Sequence, residues 1–347
     1  MKVKLSIGFI TLLVLCVGRI ISAHFFRKMS NYERPNIFIT GATSFLGRNT
    51  CSYLIKKGYN VFAFARENSE NNYKLDSIKG LHIIPINIDS ITNEELDSFD
   101  NIDNKYRIII KSLNDIRSKD NIFIHYAWKG TSRVDRSNKE IQEYNIEQST
   151  KWLKIAHILG VKKFIFAGSQ AEYSPNYYGI YKNKFAENAK EYISQYDMTF
   201  IHMRIFSIFG NNDRNTTILS ALLSSIKEKQ DFDMTSCKKK WNFLYIDDYV
   251  RIIEKIINKL DSDNNEKLIA DNNIFTMDIA SDDTRTLREF IKEAHSTLNS
   301  KIKLNFGVKE DNSDIFAIPD ISNLLAYIGK YKYMKFADAV QDMYKKM

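Results

Sequence analysis

Short and almost uniformly apolar runs recur along this chain and are separated by segments with helical periodicity. Continuous apolar runs of four to eight residues are typical of strands buried on both faces, and strands that alternate with helices are typical of parallel sheets. The pattern therefore predicts an open α/β sheet. The predicted strands are 36–40, 60–65, 81–88, a run from Asn121 and 164–167, and the predicted helices are 49–57 and 139–159.

The first predicted strand runs directly into a turn that contains two glycines, and a helix follows. Strand, glycine turn and helix are the context in which a helix N-terminus holds a pyrophosphate. Gly41 permits the tight turn and Gly47 permits close helix packing, while Ser44 replaces the middle glycine and offers a hydroxyl to a phosphate. The turn predicts a dinucleotide cradle made of Gly41, Thr43, Ser44, Phe45, Leu46 and Gly47.

The end of the second predicted strand indicates which dinucleotide is bound. An Asp or Glu at this point holds the ribose 2′-hydroxyl of NAD, whereas an Arg accommodates the 2′-phosphate of NADP. This chain has Ala65 and Arg66 there, with Arg48 as a second candidate cation. We therefore favour NADP(H) over NAD(H). Ala127, in the loop after the fourth strand, is expected to lie along the same cofactor.

Candidate chemistry is concentrated between Gly160 and Lys184. The strand there delivers Ser169 to its C-terminal end, where open α/β sheets bind ligands. Tyr178 and Lys182 follow at a spacing of four, which places them on one helix face. An ammonium beside a phenol lowers a pKa that is ordinarily about 10, so Tyr178 is a candidate proton donor and acceptor. The alternative is a pair of surface residues, and Tyr177 with Tyr181 offers a competing register.

Length, charge and cysteine count limit the class of protein. At 347 residues the chain is long for one core, which favours a nucleotide-binding domain and a smaller second domain. The net charge is +8, but five cations and no acids lie in the first 28 residues, so no nucleic-acid partner is expected. No metal-binding spacing is present. Three scattered cysteines predict free thiols.

The amino terminus contains an apolar segment at residues 5–23, behind two lysines. Such a segment fits a signal peptide or a short membrane anchor. Arg19 inside it weakens the spanning interpretation, and Met29 offers an alternative natural start directly before the first strand. We favour Met29 or an inward-facing anchor over secretion, because a cytosolic cofactor is required. The expected location is cytoplasmic, with a membrane tether at residues 5–23 left open.

Seven motifs follow one another along the chain: Thr40-Gly-Ala-Thr-Ser-Phe-Leu-Gly47, His125-Tyr-Ala-Trp128, Asn145, Gly168-Ser-Gln-Ala-Glu-Tyr173, Tyr178-Gly-Ile-Tyr-Lys182, Arg204-Ile-Phe-Ser-Ile-Phe-Gly210 and Trp241-Asn-Phe-Leu-Tyr-Ile-Asp-Asp248. Taken in order, they resemble the extended short-chain dehydrogenase/reductase family and, within it, the nucleotide-sugar epimerases, dehydratases and reductases. The resemblance implies a Rossmann-like, doubly wound parallel sheet at 30–205, after an N-terminal segment at 1–29. It also implies a smaller, partly interleaved substrate domain at 206–347, of which about 236–260 returns to the sheet.

The same resemblance implies roles for individual residues. Ser169 resembles the family's catalytic serine or threonine, Tyr178 its acid/base and Lys182 its ribose-binding lysine, which Asn145 supports. Candidate substrate-binding residues are Arg204, Asn211 and Arg285. The family also commonly forms homodimers through the helices at 139–159 and 185–196, so a homodimer is expected.

The residues that follow Ser169 reduce the number of reactions that this site is expected to catalyse. Dehydratases of the family carry an Asp-Glu pair there, whereas this chain has Gln170 and Ala171, which cannot carry protons. The expected reaction is NADPH-dependent reduction of a 4-keto deoxy-sugar nucleotide. One alternative is 4-epimerisation, and another is a dinucleotide-binding scaffold or sensor without catalysis.

Overall fold

The structure is a computed structural model, and it describes residues 34–67, 69–98, 109–110, 113, 121–211, 213, 217–261, 273–311 and 317–347. The apolar segment at 5–23 lies outside these residues, as does Cys16. Within the described ranges no helix has the length and apolar character needed to cross a membrane.

A seven-stranded sheet forms the centre of the molecule. Its strands are β1 (Asn36–Thr40), β2 (Asn60–Ala65), β3 (His82–Pro85), β4 (Ile122–His125), β5 (Lys163–Ala167), β6 (Thr199–Ile205) and β10 (Ile274–Ile279). All neighbouring strands are parallel, in the order β3-β2-β1-β4-β5-β6-β10. This order confirms the Rossmann-like doubly wound fold.

Helices cover both faces of this sheet. The first helix begins at Phe45, four residues before the predicted start, because the Ser44 side chain caps it. Short 3₁₀ helices lie at Ile88–Ser90 and Gln170–Tyr173. The α-helices are α1 (Phe45–Lys56), α2 (Tyr73–Asp76), α3 (Asn93–Asp97), α4 (Arg133–Arg136), α5 (Lys139–Ile158), α6 (Tyr177–Ser194), α7 (Ile218–Glu228), α8 (Ile246–Asp261), α9 (Leu287–Thr297), α10 (Ser322–Ile328) and α11 (Phe336–Lys346).

The two faces of the large sheet differ in chemistry. Successive side chains of a strand point to opposite faces, and here phenylalanines occupy one face while Ile, Val and Ala occupy the other. On the aromatic face Phe38 and Phe62 stack at 5.2 Å, and Phe123 and Phe164 at 5.3 Å. Helices α5 and α6 cover the aromatic face, and α1 and α8 cover the aliphatic face.

Two small sheets form the second region. Strands β7 (Ser207–Phe209), β9 (Lys240–Tyr245) and β11 (Thr284–Thr286) make a mixed sheet, and β8 (Phe232–Met234) pairs with β12 (Leu304–Phe306). The return to the large sheet differs from the expectation for 236–260. Strand β9 of that segment belongs to the mixed sheet, helix α8 packs on the large sheet, and β10 is the strand that joins it.

Cys51 and Cys237 are free and buried, as expected. Burial in α1 raises the pKa of the Cys51 thiol to about 12. A thiol with such a pKa carries almost no thiolate near neutral pH, so Cys51 fills space in the core rather than reacting.

Candidate active site

The turn between β1 and α1 is built around two glycines that have no room for a side chain. Gly41 has a φ of +66°, and a Cβ there would lie 2.7 Å from the Ala127 backbone nitrogen. A Cβ on Gly47 would lie 2.3 Å from the Gly41 carbonyl oxygen. Both contacts are with backbone atoms, so neither can be relieved by a rotamer change. The turn therefore keeps the α1 N-terminus close to the ends of β1 and β4.

Ser44 caps α1 and faces the cradle. Its hydroxyl oxygen accepts the Gly47 N–H at 3.0 Å. Accepting that bond uses a lone pair and not the hydroxyl proton, so the serine retains a donor for an anionic group. A helix N-terminus with a hydroxyl donor suits a phosphate. The replacement of the middle glycine by Ser44 is thus compatible with a cradle for a dinucleotide pyrophosphate.

A cleft of about 730 Å³ begins at this turn and is called here the first cleft. Its described lining contains four cations and one carboxylate, Asp213, so the surface favours an anion. Of the predicted cofactor residues, Leu46 lines a neighbouring cleft and Gly47 supports the turn from behind. The predicted residues along the first cleft are Gly41, Thr43, Ser44, Phe45, Arg66 and Ala127, and its four cations are Arg48, Arg66, Lys74 and Lys129.

Asn145 also lines the first cleft, but it contacts a different partner from the one expected. Its side-chain oxygen accepts the Lys129 N–H at 2.8 Å, and its amide donates to the Lys129 carbonyl at 2.8 Å. Asn145 therefore holds the loop after β4 in place. Lys182 instead donates to the Ala167 carbonyl at 2.6 Å.

Ser169 lies where β5 ends. It caps the 3₁₀ helix Gln170–Tyr173, and its hydroxyl oxygen accepts the Ala171 N–H at 3.1 Å. The Ser169 backbone N–H donates to the Glu172 carboxylate at 2.7 Å. Together with the capping box that Ser169 and Glu172 form, these bonds set the position of the Ser169 side chain at the carboxyl end of β5.

Helix α6 approaches this 3₁₀ helix so closely that only a glycine fits at the contact. A Cβ on Gly179 would lie 1.9 Å from the Ala171 carbonyl oxygen. Asn176 caps α6 by accepting the Gly179 N–H at 2.8 Å. The contact places the first turn of α6, which carries Tyr178, beside the strand end that carries Ser169.

Ser169, Tyr178 and Lys182 all line a second cleft of about 940 Å³. The Lys182 Nζ lies 5.3 Å from the centroid of the Tyr178 ring. In the competing register, Tyr177 is exposed and the Tyr181 hydroxyl donates to Glu143 at 2.7 Å. The tertiary structure therefore selects Tyr178 and Lys182, because neither residue of the other pair lines the described cleft.

Lys182 has an unusual environment for an ammonium group. It is 3% exposed, and its Nζ lies 4.2 Å from the Trp128 ring centroid and 4.8 Å from that of Phe166. Burial lowers the pKa of Lys182 to about 7, Glu172 opposes that shift and Arg136 adds to it. Near neutral pH Lys182 therefore carries a proton that it can lose.

This buried lysine makes stability depend on pH. Unfolding restores the ordinary pKa of 10.5, so between about 7 and 10.5 the unfolded chain binds more protons and the folded state gains stability as the pH rises. We expect Lys182→Met to remove this slope, which is about 1.4 kcal/mol per pH unit for one proton. Urea unfolding at pH 6.5, 8 and 9.5 measures it. Lys184→Met, an exposed change on the same helix, is the control, and equal slopes in wild type and Lys182→Met would contradict the assignment.

Arg136 is a member of the site that the sequence did not single out. Its guanidinium carbon lies 5.0 Å from the Tyr178 ring centroid, and it lines the second cleft. The Arg136 Nε donates to the Thr131 carbonyl at 3.1 Å, which holds the side chain over the ring. The available signal was its place in α4, directly after the loop that follows β4 and that was expected to pass along the cofactor.

The three predicted substrate-binding residues lie outside the described lining of both clefts. Arg204 donates to the buried Asp278 carboxylate at 2.7 Å. Arg285 contacts Asp283 at 3.0 Å and also pairs with Glu293. Asn211 lies at the turn after Gly210. The structure does not bring these residues to Tyr178.

Comparison with known proteins places this geometry in a family. Residues 37–274 match the NAD dependent epimerase/dehydratase family. This chain belongs to that family. A CDP-abequose synthase of Salmonella muenchen is 28% identical over 231 residues, which are 64% of this chain and 69% of the relative. A second CDP-abequose synthase, of Salmonella typhimurium (strain LT2), is 22% identical over 333 residues, 91% and 99% of the two chains.

Solved structures show the same fold. A UDP-N-acetylglucosamine 4-epimerase from Methanobrevibacter ruminantium M1 superposes with a TM-score of 0.70 at 18% identity, over 90% of this chain and 98% of that one. A UDP-glucuronic acid 4-epimerase from Bacillus cereus, in complex with UDP-glucuronic acid and NAD, gives a TM-score of 0.68 at 18% identity and the same coverage. Family membership makes this chain an NAD(P)-binding enzyme, and its glycine turn and cation-lined first cleft fit that cofactor.

Proposed function

We propose that this enzyme reduces the 4-keto group of a nucleotide-linked deoxy sugar with NADPH. The observation that carries the proposal is the second cleft, in which Ser169, Tyr178 and Lys182 converge beside the dinucleotide cradle. The names of the relatives agree with this substrate class: besides the CDP-abequose synthases, a dTDP-6-deoxy-L-talose 4-dehydrogenase (NAD(+)) from Aggregatibacter actinomycetemcomitans is 23% identical over 291 residues. The aligned residues are 79% of this chain and 94% of that relative.

In this proposal the bound nicotinamide supplies hydride transfer, and the protein supplies proton transfer and orientation. Tyr178 donates the proton that the new hydroxyl oxygen requires, since it is buried beside the cleft with a cation on its own helix. Ser169 holds the same oxygen. Lys182 holds the ribose of the cofactor and favours the phenolate form of Tyr178.

The residues beside Ser169 support reduction over dehydration. The Gln170 amide donates to the Ser207 hydroxyl at 3.0 Å, and Ala171 is buried against α6. Neither side chain titrates, so water elimination lacks an acid and a base at the positions where the family's dehydratases carry them.

A turnover assay tests the proposal. The full-length protein is incubated with NADPH and, separately, with CDP-, dTDP- and UDP-linked 4-keto-6-deoxy sugars, while absorbance at the NADPH band is followed. We expect NADPH consumption with at least one of these sugars. In a parallel incubation of the corresponding 4-hydroxy nucleotide sugars with oxidised dinucleotide, inversion at C4 without net reduction of the dinucleotide would instead identify an epimerase. Dinucleotide binding with no turnover of any sugar would contradict the reductase.

The preference for NADP is supported by two cations of the first cleft that follow β2 in the chain. These are Arg66 and Lys74, which line the cleft together with Ser69, Asn71 and Asn72. Two cations suit a 2′-phosphate, with which a guanidinium forms charge-assisted hydrogen bonds.

We expect Arg66→Ser to weaken NADPH binding by about 10- to 100-fold, because a charge-assisted hydrogen bond contributes about 1.5–3 kcal/mol. NADH binding should change by less than about threefold. Fluorescence titration of both dinucleotides measures the effect, and Lys79→Ser, an exposed cation outside the described cleft lining, is the control. Equal loss of affinity for NADPH and NADH would show that Arg66 does not bind the 2′-phosphate.

Two expectations about assembly and location remain proposals. Helices α5 and α6 pack side by side on the aromatic face, and α6 exposes Tyr177 and Ile180 to solvent, which supports a homodimer formed on this side. Light scattering of the purified full-length protein measures the oligomeric state. Cytoplasmic location with a tether at residues 5–23 is tested by fractionation of cells that express the full chain.

A further inference from the structure

A buried acid and a buried histidine lie directly behind Ser169. The Glu172 and His202 side chains are 1% and 3% exposed, and Glu172 Oε2 lies 2.9 Å from His202 Nε2. The two atoms are in direct contact without the alignment of a hydrogen bond. A buried carboxylate carries a large desolvation penalty unless it is paired. The roles described above for Ser169, Tyr178 and Lys182 do not use either residue.

The backbone around this pair leaves no room for a larger residue. A Cβ on Gly168 would lie 2.5 Å from both the Glu172 Oε1 and the His202 Nε2 atoms. The Glu172 carbonyl also accepts the Asn183 side-chain amide at 2.9 Å, which ties the 3₁₀ helix to α6. Glu172 therefore contacts His202 of β6, Asn183 of α6 and the Ser169 N–H of its own turn.

Glu172 has two connections to the site. Its Oε1 atom accepts the Ser169 backbone N–H at 2.7 Å, so it positions the residue that faces the cleft. Its Oε1 atom also lies against Gly168, the residue after Ala167, and the Ala167 carbonyl accepts a hydrogen bond from Lys182 Nζ at 2.6 Å, so the carboxylate is near the ammonium. Glu172 accordingly raises the pKa of Lys182, against the larger lowering by burial, while Arg136 lowers it further. His125 and Tyr178 also face Lys182, and burial with the nearby ammonium lowers the pKa of His125 to about 3, so His125 is neutral.

We propose that Glu172, in contact with His202, is a positioning residue for the reaction: it orients Ser169 and places its carboxylate near the Lys182 ammonium beside Tyr178. The proposal rests on the proposed roles of Ser169, Tyr178 and Lys182. An apolar side chain three residues after Ser169 would avoid the desolvation penalty of a buried carboxylate. The proposed role gives a reason for the presence of a carboxylate at this position. The titratable groups that face Glu172 are His202 from β6, Lys182 from α6 and Tyr173 from its own turn.

The test measures the protonation of Lys182 without any ligand or turnover. Full-length protein is labelled with ¹³C at the lysine Cε, and the Lys182 signal is identified by its loss in Lys182→Met. In Glu172→Gln, which keeps the shape of the side chain and removes its charge, we expect the Lys182 titration midpoint to fall by about one pH unit. Arg136→Gln should move it in the opposite direction. An unchanged or raised midpoint in Glu172→Gln would overturn the proposal.

Controls separate this result from damage to the fold and from failure of the proposed function. Glu143→Gln removes an exposed carboxylate that is bonded to Tyr181 and should leave the Lys182 midpoint unchanged. If Glu172→Gln does not fold, the double variant Glu172→Gln with His202→Gln replaces the pair by two amides that still hydrogen bond, and the same shift is expected. Because the titration of Lys182 requires no turnover, it tests this proposal even if no 4-keto sugar is reduced. With an accepted substrate, the alkaline limb of kcat should move to lower pH by the same amount in Glu172→Gln.

Discussion

Tyr178→Phe is expected to lower turnover by about 10²- to 10⁴-fold, the contribution of a positioned general acid. The phenol ring should stay in place, because its edge-on contact with Trp128 at 6.3 Å and the Arg136 guanidinium at 5.0 Å involve the ring and not the hydroxyl. NADPH affinity and the thermal midpoint should therefore change little. Steady-state turnover with the accepted nucleotide sugar, together with NADPH titration, measures both effects.

Tyr177→Phe provides a matched control for this prediction. Tyr177 precedes Tyr178 on the same helix turn and is 42% exposed. Tyr177→Phe removes the same hydroxyl group as Tyr178→Phe. Tyr177 lies outside the described lining of the second cleft. We expect full turnover in Tyr177→Phe, and full turnover in Tyr178→Phe would refute the assignment of the proton donor.

Gly179→Ala is expected to damage both the fold and the site. The added methyl group would lie 1.9 Å from the Ala171 carbonyl oxygen and 2.6 Å from its carbon. Because the clash is with backbone, α6 must move away from the 3₁₀ helix. Overpacking of this kind costs about 1–3 kcal/mol or more, and a displacement of about 1 Å between Ser169 and Tyr178 lowers turnover by about 10²-fold.

Urea unfolding and steady-state kinetics test this second prediction. The matched control is Gly58→Ala, at a glycine with a φ of +82° and no atom within 4 Å of the added group. That change should cost only the backbone strain, about 1 kcal/mol, and should leave turnover unchanged. Wild-type stability and turnover in Gly179→Ala would show that the close contact between the two helices is not required.

Local sequence was sufficient to predict the first five strands of the large sheet and the glycine turn after β1. Continuous apolar runs predict buried strands because both faces of a parallel sheet are covered. The turn from Gly41 to Gly47 was identified because a strand, two glycines and a helix occur within a few residues. The four-residue spacing of Tyr178 and Lys182 placed both on one face of α6, which the structure shows.

Several site residues were beyond the reach of the sequence because their partners are far away along the chain. Arg204 was expected to contact substrate, but it donates to Asp278, which lies 74 residues away along the chain. Glu172 and His202 meet only because β5 and β6 are neighbours in the sheet. Arg136 reaches Tyr178 through a loop whose course depends on the bonds between Asn145 and Lys129.

By itself, then, the sequence determined the alternation of buried strands and helices, the glycine turn between β1 and α1 and the helical spacing of Tyr178 and Lys182, since each depends on neighbours within a few residues. The tertiary structure decided the competing register of the tyrosines, the strand that rejoins the sheet and the charge environment of Lys182. These depend on which distant groups come together and exclude water, because burial and the opposing charges of Glu172 and Arg136 set the pKa of Lys182 to about 7.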